Sequence, residues 1–198
     1  LGKKWMLAEG LSLKPHASCK YTHSFIDATK QLINSHALDW RQIASISCRG
    51  SAGSRMTFEP ADAKWNPTNA AEAMYSTPYT VATMAITGSV FLDAFSDAEI
   101  IRNDKRELMK RISVVSDPEI SDQFEGFSVT ITMDSGIQHK AISDYVLGHS
   151  KNPMDWADIE HKFWQCTPFS AKPLRQDKLT QLIECVKNLE SVDDSKQL

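Results

Sequence analysis

The stretch from Phe127 to Tyr145 constrains the fold of this chain more than any other. Phe127, Val129, Ile131 and Met133 alternate with Ser128, Thr130 and Thr132. That period of two sends one side of a strand to a core and the other to water. Asp134-Ser135-Gly136 follows, with glycine where a tight turn needs a positive φ. The chain then returns over about Ile137 to Tyr145. A two-stranded hairpin is marginal in water on its own, so the rest of the sequence must supply strands or helices to cover its apolar side.

Helical periodicity supplies part of that cover. After Thr22, read as an N-cap, Phe25, Ile26, Thr29, Leu32 and Ile33 recur on one face. Asp39 and Trp40 lie in the loop that follows. A short strand is expected at about Ile43 to Cys48, with Ala44, Ile46 and Cys48 on one face. Arg49 to Pro67 reads as a long, glycine- and proline-broken loop, a kind of segment that is often functional. Ser76-Thr77-Pro78 opens a second helix that Gly88 stops. Ser96-Asp97-Ala98-Glu99 reads as a capping box, opening a third helix to about Lys110. A strand is expected from Ile112 to Val115.

Two further helices follow. One comes after Asn152-Pro153 and carries Trp156, Ile159 and Phe163 on one face. The other, about Gln176 to Leu189, carries Leu179, Leu182, Ile183, Val186 and Leu189 as a broad apolar stripe. The element order predicts an α+β fold: a small, mainly antiparallel sheet with helices on one face. The last stripe is more apolar than so small a sheet requires, so the C-terminal helices are expected to pack on a neighbouring helical domain, within this chain or beyond it. Residues 1–150 are expected to form the α+β domain, 151–190 the C-terminal helices and 191–198 a flexible tail.

Composition narrows the functional classes. Net charge is −3 with no long basic stretch, unlike the basic face of a nucleic-acid binder. No apolar run approaches the ~20 residues of a membrane helix. The first residues lack the apolar core of a signal peptide, and Leu1 is not expected to be the natural start. Cys19, Cys48, Cys166 and Cys185 are widely spaced and form no CxxC pair, which argues against structural zinc and for reduced thiols in the cytoplasm. No metal or cofactor motif occurs.

Two places could carry chemistry. Lys14-Pro15-His16-Ala17-Ser18-Cys19-Lys20-Tyr21-Thr22-His23 joins cations and titratable groups just before a helix, whose N-terminus suits a carboxylate. Lys14 could hold an anion or move a proton, and His23 could act as acid or base near neutral pH. Cys19 has no third orienting group, which leaves a thiol nucleophile weakly supported. Tyr79, in the first turn of the Ser76 helix, could donate to a carboxylate or a developing enolate. The competing readings are a surface loop with a helix cap for the first cluster and a core aromatic for Tyr79.

Three segments together resemble the MmgE/PrpD family. Lys14 to Ala28 is similar to its Lys-Pro-aromatic-x-x-Cys-x-x-x-His-x-x-x-Asp-Ala segment, with His16 in place of the usual aromatic. Tyr75-Ser76-Thr77-Pro78-Tyr79-Thr80-Val81-Ala82 is similar to its Phe-Ser-x-x-Tyr-x-x-Ala helix, with Tyr75 in place of Phe. Gly126 to Pro153 is similar to its hairpin and Leu-Gly-His-x-x-Asn-Pro turn. The resemblance implies an enzyme of the kind that dehydrates 2-methylcitrate, decarboxylates cis-aconitate or epimerises iminodisuccinate, without a metal or cofactor. It implies a homodimer in which each chain pairs an N-terminal helical domain with a smaller α+β domain, the site lying between them. Within that site it implies Lys14, His23 and Tyr79 as catalytic residues and Lys14, Cys19 and Tyr79 as contacts to a small polycarboxylate. The expected function is therefore the C-terminal part of a lyase or isomerase, hydro-lyase by preference, inactive without its helical half. The alternative is a non-catalytic binding or assembly module that retains the fold.

Overall fold

The computed structural model describes residues 3, 7, 10–122 and 126–191. It divides into two compact units, Leu1–Met154 and Asp155–Leu198. The first unit carries the sheet. Helix α1 (Lys20–His36) leads into β1 (Ile43–Gly50). Short helices α2 (Ala61–Trp65) and α3 (Ala70–Met74) precede α4 (Thr77–Thr87). Then come α5 (Asp97–Ile100), α6 (Asn103–Met109), β2 (Ile112–Ser116), β3 (Phe127–Met133) and β4 (Gln138–Ser143). The second unit holds α7 (Trp156–Cys166) and α8 (Gln176–Lys187).

The sheet has four strands in the order β2-β1-β3-β4. The hairpin expectation holds: β3 and β4 pair antiparallel, and β1 joins β3 antiparallel as well. β1 and β2 run parallel, so the sheet is mixed. The reason is topological. The segment from β1 to β2 crosses over through α2 to α6, and such a crossover delivers parallel strands where a tight turn would deliver antiparallel ones. Ile112, Ile46 and Ile131 stand side by side across three strands, and Val114, Cys48, Val129 and Ala141 across all four. Phe25, Ile26 and Leu32 of α1 are buried with these residues in one core, each contributing roughly 1.5–3 kcal/mol by leaving water.

Several local expectations need correction. Helix α1 starts after Cys19, not Thr22, and the Thr22 hydroxyl instead donates back to the Cys19 carbonyl at 2.7 Å. A bulge between Ile43 and Ser45 turns Ala44 to solvent and buries Ile43, so Ala44 does not share a face with Ile46. The long loop after β1 contains a 3-10 turn at Ala52–Thr57 as well as α2. Gly50 is set by close approach: a Cβ there would lie 2.7 Å from the Phe25 ring. Of the tail expected at 191–198, Ser191 closes a 3-10 turn that begins at Leu189, and 192–198 lie outside the described residues.

The expected third helix breaks in two at Ile101 and Arg102, and its capping box does not form, because Ser96 caps nothing with its side chain. Glu99 is drawn elsewhere. It pairs with Lys105 at 2.8 Å and with Arg102 at 3.0 Å. Lys105 is fully buried, and its ammonium also donates to the Tyr79 hydroxyl at 3.1 Å. Tyr79 in turn donates to the Ala94 carbonyl at 2.5 Å. A buried ammonium needs such partners, because an unpaired charge in the core is expensive. Burial lowers the Lys105 pKa while the Glu99 hydrogen bond and charge oppose that shift. Burial pushes the Tyr79 phenol up to about 12.

Tyr79→Phe should therefore destabilise the chain by about 1–3 kcal/mol, since it leaves the Ala94 carbonyl without its donor and strips one acceptor from Lys105. Urea unfolding of the two forms measures this, and an unchanged midpoint would contradict the bonding described for the hydroxyl.

Candidate active site

Helix α1 begins at a crowded surface. The segment before it is tied to the Leu147-Gly148 turn: Leu13 N–H donates to the Gly148 carbonyl at 2.9 Å, and so does the Ser12 hydroxyl at 3.3 Å. The Lys20 ammonium donates to that same Ser12 hydroxyl. Gly148 has φ +86, and a Cβ there would meet the Leu13 carbonyl oxygen at 2.3 Å. Only glycine fits that turn, since any side chain would push away the residue next to Lys14.

Two helical turns further on, Asp27 binds both sides of this junction. One carboxylate oxygen lies 2.9 Å from His16 Nε2, and the other accepts from Leu147 N–H at 3.2 Å. Asp27 also borders an open groove of about 600 Å³, lined among others by Lys30, Asn34, Asp144, Tyr145 and Lys151. On the other flank, Cys19 N–H donates to the Met74 carbonyl at 2.9 Å, just before Tyr75 and the Ser76 cap of α4. The head of α1 is thus joined to both of the other segments singled out in the sequence.

The expected site residues divide between surface and core. Lys14 is exposed. Cys19 is half-buried as the α1 N-cap residue, with no hydrogen bond from its thiol to the helix. His23 is buried, its ring edge-on to His16 at 5.1 Å between centroids. Its Nε2 lies 3.3 Å from the Ser18 carbonyl. A carbonyl can only accept, so Nε2 carries the proton, and Nδ1 is left as a buried lone pair without a partner. Tyr79 is fully enclosed in the core, bonded to Ala94 and Lys105 rather than to the Lys14 segment. The structure therefore gathers Lys14, Cys19 and His23 around one helix head and sets Tyr79 behind them. The physical reason is that α4 is enclosed on all sides, with Thr77 to Ala85 buried throughout, so its first turn has no solvent edge.

Electrostatics agree with this grouping. Burial lowers the Lys20 pKa, and the Lys14 charge lowers it further. Burial drives the His23 pKa from 6.5 to about 3, with His16 adding to the fall and Asp27 opposing it. His23 is thus neutral at physiological pH, while Lys14 and Lys20 supply positive charge beside the N-terminus of a 17-residue helix. Such a surface suits a carboxylate. The His16–Asp27 pair was not singled out from the sequence as a unit. No spacing along the chain marks it, because His16 precedes the helix that carries Asp27.

Among the described residues no group of three or more His, Cys, Asp or Glu comes together to hold a metal. All four cysteines are free. No helix among the described residues is long and apolar enough to cross a membrane.

Comparison with known proteins points the same way. Residues 16–188 match the MmgE/PrpD C-terminal domain. Human cis-aconitate decarboxylase is 28% identical over 134 residues, which are 67% of this chain and 27% of the human protein. The mouse cis-aconitate decarboxylase is 27% identical over the same share of both chains. The chain therefore spans about 27% of the length of these relatives. With that domain match running through nearly the whole sequence, and with the three resembling segments meeting at α1, the chain belongs to the MmgE/PrpD family through its C-terminal domain.

Proposed function

We propose that this chain is the small domain of a lyase acting on di- or tricarboxylates, completed by an N-terminal helical domain. The observation that carries the reading is the cationic head of α1, where exposed Lys14 stands beside Lys20 and a buried, neutral His23. The two similar proteins are cis-aconitate decarboxylases, which supports lyase chemistry and makes cis-aconitate the first substrate to try. 2-Methylcitrate, for dehydration, and iminodisuccinate, for epimerisation, come next.

In this reading Lys14 pairs with a substrate carboxylate, and the α1 N-terminus and Cys19 line the same place. His23 serves as a neutral acceptor through its unpartnered Nδ1. Tyr79 acts by holding α4 and α6 together behind the site. The second unit fits a domain that docks elsewhere: Trp156, Leu182 and Val186 remain about half exposed around an apolar groove between α7 and α8. The helical domain of the same protein is the proposed cover. A homodimer in the cytoplasm completes the proposal, and the four free thiols are compatible with that reducing compartment. The second reading, a non-catalytic module, draws on the full burial of Tyr79 in the core.

An activity screen of the complete natural chain against the three acids separates these readings. Turnover of one of them is expected, and silence on all three would leave the non-catalytic module. Lys14→Ala in an active protein should lower kcat/KM by roughly 10- to 100-fold, the equivalent of a charge-assisted contact of ~1.5–3 kcal/mol. Unchanged kinetics would remove Lys14 from the site.

The neutral state of His23 also has a measurable consequence. Its folded pKa of about 3 lies below its ordinary 6.5, so between those values the unfolded chain binds more protons. The stabilisation is present in full above pH 6.5 and is lost as pH falls toward 3. Urea unfolding at pH 7 and pH 5 should differ by about 2 kcal/mol on this account. His23→Gln should flatten that difference, and an equally steep acid limb in the variant would refute the assignment.

A further inference from the structure

The proposed site leaves one pair of titratable side chains unused. His16 and Asp27 form an imidazole–carboxylate dyad at 2.9 Å. The carboxylate is fixed from a second direction by Leu147 N–H, so it is held by α1 on one side and the Gly148 turn on the other. The imidazole is packed edge-on against His23, which fixes the ring plane. The two side chains keep 12% and 25% of their surface, so the pair reaches solvent. Lys14, two residues earlier, is exposed. The charged and titratable groups around the dyad are Lys14 from the leading segment and His23 from α1, with Lys30, Asp144, Tyr145 and Lys151 lining the groove that Asp27 borders; Leu147 contributes a backbone N–H.

A carboxylate bound to one imidazole nitrogen sets the tautomer and stabilises the imidazolium, which is how an orienting acid prepares a histidine for proton transfer. We infer that His16 is a proton-transferring catalytic residue of the proposed lyase and that Asp27 is its positioning residue. The inference rests on the lyase reading above.

The step balances as follows. In decarboxylation, the bond between the substrate carbon skeleton and the leaving carboxylate breaks and carbon dioxide departs. The electron pair of that bond stays on the substrate. It takes a proton from the His16 imidazolium to form a carbon–hydrogen bond, and His16 is left neutral. Water then returns the proton to His16. Lys14 holds a remaining carboxylate so that the accepting carbon faces the ring.

The test uses the complete natural chain and the kinetics of whichever polycarboxylate it turns over. His16→Phe keeps a flat ring against His23 and removes the proton. It should lower kcat by roughly 100-fold, within the range of general acid–base catalysis, with little change in KM. The pH–kcat limb due to His16 should disappear. Asp27→Asn keeps a hydrogen-bonding partner but removes the charge that favours the imidazolium, so it should move the same limb to lower pH. Thermal unfolding of each variant checks that it is folded, and Asp27→Asn serves if His16→Phe is not. An active wild type whose folded variants keep its kcat and pH profile overturns the inference and leaves the lyase reading standing. A wild type inactive on all three acids overturns the lyase reading, and this inference falls with it.

Discussion

The burial of one side of α1 is the contact on which the rest of the first unit depends. Phe25, Ile26, Ala28 and Leu32 are at most 2% exposed and share a core with the inner faces of β1 and β3 and with α4. Phe25 lies 5.1 Å from the Phe127 ring and leaves no room for a side chain at Gly50. That apolar contact fixes where the helix begins and which residues its first turns present. The site at its head inherits its geometry from the core. A change in how Phe25 seats would move Cys19, His23 and Asp27 together, because they ride on the same rigid element.

Two buried basic side chains, Lys105 and His23, are handled in opposite ways. Lys105 is fully buried as part of a network with Glu99 and Tyr79, and Arg102 and Asp104 extend it toward solvent. Its charge is matched, so the network ties α4, α5 and α6 to one another. His23 is buried without a counter-charge in bonding distance and is neutral instead. A buried group must either find partners or give up its charge. The first course builds structure. The second leaves an unpartnered lone pair, which is the kind of feature found at functional sites rather than in inert cores.

The three segments that resemble the family are far apart in the chain and are tied together, within them or at the residue just before them, by hydrogen bonds to backbone groups. Leu13 meets Gly148, Cys19 meets Met74, and the Asp27 side chain meets Leu147 N–H. Backbone contacts of this kind restrict residue type through space and conformation. Gly148 is the clearest case, since both its positive φ and the Leu13 carbonyl exclude any Cβ. The segments are therefore parts of one junction.

Helix α4 was legible from its proline start and glycine stop. Strong periodicity made the hairpin, α1, α7 and α8 legible from sequence, because alternation of two or of 3.6 reports directly on one buried face. The same signal misplaced Ala44, since a bulge shifts the register by one residue and no composition cue marks it. It also joined α5 to α6, because Ser96 and Glu99 have the spacing of a cap while Lys105, six residues on, competes for Glu99. Lys14, Cys19 and His23 were legible as a cluster because they are neighbours in the chain. By itself the sequence determined the α+β class, the hairpin and the family. Only the tertiary structure decided that β1 and β2 run parallel, that Tyr79 lies in the core, and that His16 faces Asp27. Each of these depends on which groups the chain's connections and packing bring together, and such pairings are not written in local order along the chain.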